Sequence, residues 1–132
     1  MIVFTIMFPE NDRFGGDEVF ASWIKDNGII LAQDADSSGR STKAPYVGYA
    51  TFGKADPLDF IYTYKGLVTN IDSLESGAWG VGLINASPEV DNITRRIPLM
   101  SNVKDQLYPS FALEMTRLVQ DQLSYTIKSN EA

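Results

Sequence analysis

Residues 90 to 99 read VDNITRRIPL, and they carry the most chemically pointed spacing in the chain: Asp91, then the adjacent Arg95 and Arg96, then Ile97, Pro98 and Leu99. A guanidinium is a planar fork of donors that matches a carboxylate or a phosphate two bonds at a time. Three roles are open to the pair. They are charge on an exposed strand, a bidentate pairing with Asp91 or another carboxylate that fixes the turn EVDN, or capture of an anionic ligand. The segment Ile93 to Met100 reads as a strand, where neighbouring side chains point to opposite faces, so both arginines cannot easily serve one site. Structure or surface therefore outweighs capture.

Other constellations carry less. In DADSSG, the residues Asp34, Asp36, Ser38 and Gly39 occupy the first, third, fifth and sixth positions of a calcium loop of the EF-hand type. The twelfth position should hold a bidentate glutamate and is Pro45, and a strand rather than a helix precedes the loop. No metal is expected; Asp34, Asp36 and Ser38 are the only candidates for one. In SGAWGVG, Gly77, Gly80 and Gly82 approach the dinucleotide-binding spacing, but a strand follows where that motif needs a helix. Close backbone approach, or a bulge, within a strand accounts for these glycines better. Ser110 forms no Ser-Lys signature with Lys104 or Lys128; beside Pro109 it is placed to satisfy backbone N–H groups at a helix start. Asn85 in NAS and Asn92 in NIT are formal glycosylation acceptors, relevant only to a secreted eukaryotic chain. No enzyme is expected, and no cofactor.

The elements that position these residues follow from periodicity. Ile2 to Phe8 is apolar on both alternating faces, the pattern of a buried strand in a parallel sheet. DEVFASWIKDNG predicts a helix, with Val19, Phe20, Trp23 and Ile24 on one face, Asp17 and Glu18 at its positive end, and Gly28 as its C-terminal cap. IILAQ, Ile29 to Gln33, is the next strand, so the chain opens on a βαβ unit. Residues 34–45 read as a flexible loop. YVGYATF and FIYTYKGLVTNI are rich in β-formers, with a turn at Lys65-Gly66. DSLESGA suggests a helical turn capped by Asp72, WGVGLIN a strand, and NVKDQ a turn. A C-terminal helix starts at Pro109 and runs through SFALEMTRLVQDQLSY with an apolar stripe of Phe111, Met115, Leu118 and Val119. Residues 126–132 read as a fraying tail. The expected fold is α/β, a mixed and partly parallel central sheet with flanking helices.

The bulk numbers bound the function. At 132 residues the chain is one domain, and 44% hydrophobic with 21% charged residues is a globular composition. A net charge of −6 argues against a nucleic-acid partner. The absence of Cys and His removes Cys/His zinc sites, thiol nucleophiles and imidazole-based triads. No apolar run reaches the roughly 18 residues of a membrane span. An opening straight onto strand-like residues suggests a piece of a longer protein.

Taken together, GLIN, PEVDNITRRIPLM and LYPSFALEM resemble the C-terminal half of the CHASE-two family, the second class of extracellular sensory domains associated with cyclases and histidine kinases. That family carries a Gly and an Asn in one strand, matched by Gly82 and Asn85. An acidic turn follows, whose second acid is matched by Asp91, and then a basic strand matched by Arg95, Arg96, Pro98 and Leu99. Pro109, Ser110, Ala112 and Leu113 match the start of its helix. Asn92 stands where the family usually has Gly, a mild change because Asn tolerates a left-handed turn. Thr5 stands where an Asp is usual, which puts any role for that acid in doubt. The resemblance covers most of residues 2 to 119 and is specific from Gly82 onward; the family's initial segment and its membrane helices are not seen.

What the resemblance implies is a truncated extracytoplasmic input domain of a bacterial membrane receptor with a cyclase, histidine kinase or Ser/Thr kinase output. The domain itself would catalyse nothing. Its partner would be an extracellular small molecule or protein, its parent chain membrane-anchored, and a homodimer is compatible with it. A dimerisation or protein-interaction module without a small ligand is the alternative.

Overall fold

The structure, a computed structural model, describes residues 1–39, 41–86 and 90–130. Strand β1 (Ile2–Phe4) lies parallel to β2 (Ile29–Asp36), and helix α1 (Asp17–Asn27) crosses between them. Gly28 ends α1 at φ 61°, a left-handed cap that glycine adopts without a Cβ penalty. The βαβ start is therefore as the sequence predicts, but β1 is not buried. It stops at Phe4, and Ile2 and Val3 are each 40% exposed because β1 forms an edge of the sheet. Phe4 alone of the strand reaches inward, edge-on to Phe20 of α1 at 5.8 Å.

β2 is the central strand. Its first half is flanked by β1 on one edge and by the parallel β6 (Gly80–Leu83) on the other. Beyond β1, the last residues of β2 pair antiparallel with β5 (Gly66–Val68). Two apolar clusters form around this strand. Ile24, Ile29, Leu31, Leu74 and Ala78 pack with Phe4, Phe8 and Phe20; Ala35, Leu67, Leu83, Val103 and Tyr108 form the second. The short helix α2 (Asp72–Glu75) leads into β6, with Ile71 rather than Asp72 at its N-cap.

Two further sheets complete the α/β fold. In one, β4 (Thr63–Tyr64) pairs parallel with β7 (Met100–Val103), which pairs antiparallel with β8 (Gln106–Pro109). Lys104 and Asp105 turn that hairpin with φ of 49° and 63°, the left-handed pair of a two-residue hairpin loop. The expected turn at Lys65-Gly66 is instead a change of sheet, since β4 belongs to one sheet and β5 to another. In the other sheet, β3 (Tyr49–Gly53) runs parallel to β9 (Tyr125–Ser129).

Four expectations are corrected here. Residues 126–132 are not a fraying tail through their described part: YTIKS alternates inward and outward as β9, and Ser129 Oγ donates to the Ala55 carbonyl. Residues 34–45 are a loop only from Ser37 onward, since residues 37–39 and 41–45 lie in no strand or helix. Asp34 to Asp36 extend β2, the Ser41 carbonyl accepts from Leu67 N–H, and Lys43 pairs with Asp72 at 2.6 Å and Glu75 at 3.0 Å; Arg40 lies outside the described residues. Residues 93 to 99 do not form a strand, which begins only at Met100. Helix α3 (Phe111–Val119) is shorter than expected, and Pro109 belongs to β8 rather than to the helix.

Candidate functional site

The motif residues are placed by the junction of β6, β8 and α3. Gly82 lets α3 approach so closely that a Cβ there would lie 2.5 Å from Phe111 Cα, and a Cβ on Gly80 would collide with the Glu114 carboxylate. These two glycines thus serve helix–strand packing, as the sequence suggests. Ser110, buried, caps α3 by accepting from Leu113 N–H at 3.2 Å. It is bridged to Leu83, and its N–H donates to the Leu99 carbonyl at 2.8 Å. Three motif segments therefore meet at Ser110.

Asn85 follows the end of β6 and continues the ladder with its side chain. Its Oδ1 accepts from Ala35 N–H at 2.7 Å and its Nδ2 donates to the Ala35 carbonyl at 2.8 Å. The amide stands in for a strand residue on β2, and its nitrogen is engaged in that bond rather than presented to a glycosylating enzyme. Asn70, unmarked by the sequence reading, performs a related task. Buried, it donates to the Ala32 carbonyl and accepts from Phe8 N–H, each at 2.9 Å.

Asp91 and Arg95 are brought together at the surface by two bonds, Nη1 to Oδ1 at 3.0 Å and Nη2 to Oδ2 at 2.7 Å. Asp91 Oδ1 also accepts from Ile93 N–H, and Asn92 takes φ 61°. Of the three roles for the arginines, the bidentate one describes Arg95. That guanidinium, with the Ile93 N–H, holds the Asp91 carboxyl below the usual carboxylate range. Because residues 95 and 96 lie outside any strand, the argument that they must face opposite ways lapses. Arg96 is exposed next to Arg95.

The calcium candidates are not arranged as loop ligands. Asp34 and Asp36 lie within β2, and Asp36 accepts from Ser38 Oγ and Gly39 N–H. Burial pushes the Asp34 carboxyl up, against a bond from Asn85 that lowers it. Among the described residues no three acids gather in a metal-holding group.

A cluster that the sequence reading missed lies beneath α3. Glu114, fully buried, receives Arg117 Nε at 2.9 Å and Nη2 at 2.6 Å, and Tyr125 Oη of β9 donates to the same carboxylate. Arg117 Nη1 also reaches the Gln122 carbonyl at 2.5 Å. Burial and then Glu114 push the Tyr125 phenol well up, and Glu114 pushes the Arg117 guanidinium up. The spacing of three between Glu114 and Arg117 is the signal that could have found this pair.

Tyr125 also lines a cleft of about 600 Å³. One wall is Tyr125 to Lys128 of β9; the other walls are Phe60 to Tyr62, Pro98 to Met100, and Leu113 of α3. The lining is mostly aliphatic and aromatic, with Lys128 its only charged residue among those described. So the segment RRIPLM reaches this cleft with its Pro-Leu-Met end.

Fold and site together define an α/β domain whose motif segment builds one wall of an apolar cleft. The family model for the CHASE2 domain matches residues 1–130, and the chain belongs to that family. The match extends through the N-terminal region, where the motif resemblance is weaker. Members are extracellular sensory domains of signalling receptors and not catalysts. Comparison with curated proteins and with solved structures gave no match. Among the described residues no helix is long and apolar enough to cross a membrane.

Proposed function

We propose that this chain is the extracytoplasmic input domain of a bacterial transmembrane receptor, with a cyclase, histidine kinase or Ser/Thr kinase as its output, and that it receives a small apolar molecule in the cleft under β9. The observation that carries this reading is the cleft itself. Its volume falls in the range of small-molecule sites, roughly 300–1,000 Å³, and its lining is apolar with one cation at Lys128. Membership of a sensory family supports it.

The cleft also has a wall suited to respond. β9 pairs only with β3 among the described strands, and is tied to the body through Tyr125 and Ser129. A ligand wedged between β9 and Pro98 to Met100 would bias the position of β9, and a difference in affinity between two positions is what drives a population shift. A thermal-shift screen of apolar and amphiphilic small molecules tests this. Hits should stabilise the chain and lose their effect in Thr126→Trp, which fills the cleft from an exposed lining position. Hits that survive Thr126→Trp but vanish in Arg95→Ala would move the ligand to the Asp91 turn and refute the cleft.

A further inference from the structure

Strand β9 meets the apolar cleft along its edge. Tyr125, Thr126, Ile127 and Lys128 all line it, although alternate side chains of a strand point to opposite faces. Consecutive residues can border one cavity only where it runs beside the strand rather than over one face. No residue of β3 lines the cleft, so the edge in question is the one turned away from β3. The register identifies the backbone groups that lie there. Tyr125 pairs with Tyr49, and its N–H donates to the Gly48 carbonyl at 3.2 Å. In a parallel ladder, the residues that bond one neighbour alternate along the strand. Tyr125 and Ile127 therefore bond β3, while Thr126 and Lys128 aim their N–H and C=O groups outward. Among the described residues, those outward groups have no partner. One wall of the cleft is thus unpaired backbone, and the facing walls are the apolar side chains of Ile61, Leu99, Met100 and Leu113.

We propose that the ligand of this cleft is a short apolar peptide that adds to β9 as a further parallel strand, with its terminal carboxylate at Lys128. The inference rests on the cleft being the ligand site and names the class of molecule it takes. A purely apolar ligand would shield the outward groups of Thr126 and Lys128 from water without bonding them, which is costly. A peptide bonds them, and its side chains fill the apolar walls. Main-chain bonds then supply affinity and the walls supply selectivity, as in other strand additions to a sheet edge. Length is set by the wall: four residues of β9 extend about 13 Å, room for about three residues of ligand. Orientation is set by charge. Lys128 stands at the C-terminal end of that wall and is the only charged lining residue among those described. A parallel peptide brings its carboxylate there, whereas an antiparallel one brings its ammonium group against a cation.

Calorimetric titration and ¹H–¹⁵N NMR of the chain with N-acetyl-trivaline, its C-terminal amide, its fully N-methylated analogue and octanoate test the proposal. N-acetyl-trivaline should bind saturably, and the Thr126 and Lys128 amide protons should shift downfield and exchange more slowly. The C-terminal amide should bind roughly threefold more weakly, a difference that Lys128→Gln erases. N-methylation of the peptide should weaken binding about tenfold or more. Thr126→Pro should do the same, since it deletes an outward N–H and no bond to β3, a change that an edge strand tolerates. Its circular dichroism should match the parent's, and it should still take up anilinonaphthalene sulfonate in the cleft. Octanoate binding there as tightly as the peptide, or undiminished binding of the N-methylated analogue, overturns the peptide and leaves the cleft as a ligand site. If peptide, octanoate and anilinonaphthalene sulfonate all fail to shift the cleft residues, both readings fall.

Discussion

Asn85 shows how one side chain can decide a local structure. Its amide satisfies both backbone groups of Ala35, which is buried and lies beyond the end of the β6 pairing, with no other described strand on that side. Asn85→Ala should therefore cost about 2 kcal/mol, the usual penalty for stranding buried polar groups, measured by chemical denaturation. Asp91 carries a second prediction. Its carboxyl is held below the ordinary range by Arg95 and Ile93 N–H, so its contribution is present above the unfolded-state pKa and is lost as pH falls through the lower folded value. An NMR titration should show the Ile93 amide moving only at pH below the ordinary carboxylate range. The Asp91–Arg95 pairing was among the roles legible in the sequence because four residues of spacing and complementary charge suffice to suggest it. The left-handed Asn92 was legible as well. The ladder bond of Asn85 was not, because it depends on where β6 stops relative to Ala35, a register that no local pattern records.

At the scale of elements, α3 and β9 are joined by the buried Glu114, Arg117 and Tyr125 cluster. Removing one ion strands its partner, so Glu114→Gln should cost about 3–5 kcal/mol, whereas the double change Glu114→Gln with Arg117→Met should cost less than that. Equilibrium denaturation of the pair of variants checks the difference. Tyr125→Phe removes the tie from β9 to α3, and amide exchange in residues 125–129 should accelerate while β2 stays protected. Because burial raises the Tyr125 phenol, this tie is fully present below the ordinary phenol pKa and weakens only as pH rises towards the higher folded value. The opening βαβ unit was legible since its helix has acids in its first turn and a left-handed glycine at its end, and its second strand opens on four apolar residues, Ile29 to Ala32. β9 was not, because YTIKS is short and its partner β3 lies more than seventy residues away. The apolar stripe of α3 misled for a physical reason: Glu114 could be buried only because Arg117 and Tyr125 were buried with it, while Phe111, Met115 and Leu118 are only half-buried and Val119 is exposed.

Among the described residues, three small sheets and the motif segment border an apolar cleft between β9 and Pro98 to Met100. The sequence placed the interest of VDNITRRIPL in its arginines, and Arg95 in fact closes a turn while Pro98 and Leu99 line the cleft. That division was hidden because the reading of residues 93 to 99 as a strand assigned them faces they do not have. The family relationship makes the chain a sensory domain, and the cleft is where the proposed sensing is localised. The most direct test is a ¹H–¹⁵N NMR titration of the chain with anilinonaphthalene sulfonate, an apolar probe with one anionic group to meet Lys128. Saturable shifts confined to Phe60 to Tyr62, Leu99, Met100, Leu113 and Tyr125 to Lys128, and abolished in Thr126→Trp, are the result expected. Shifts centred on the Asp91 turn or on the outer face of α3, or no saturable shift at all, would contradict the account.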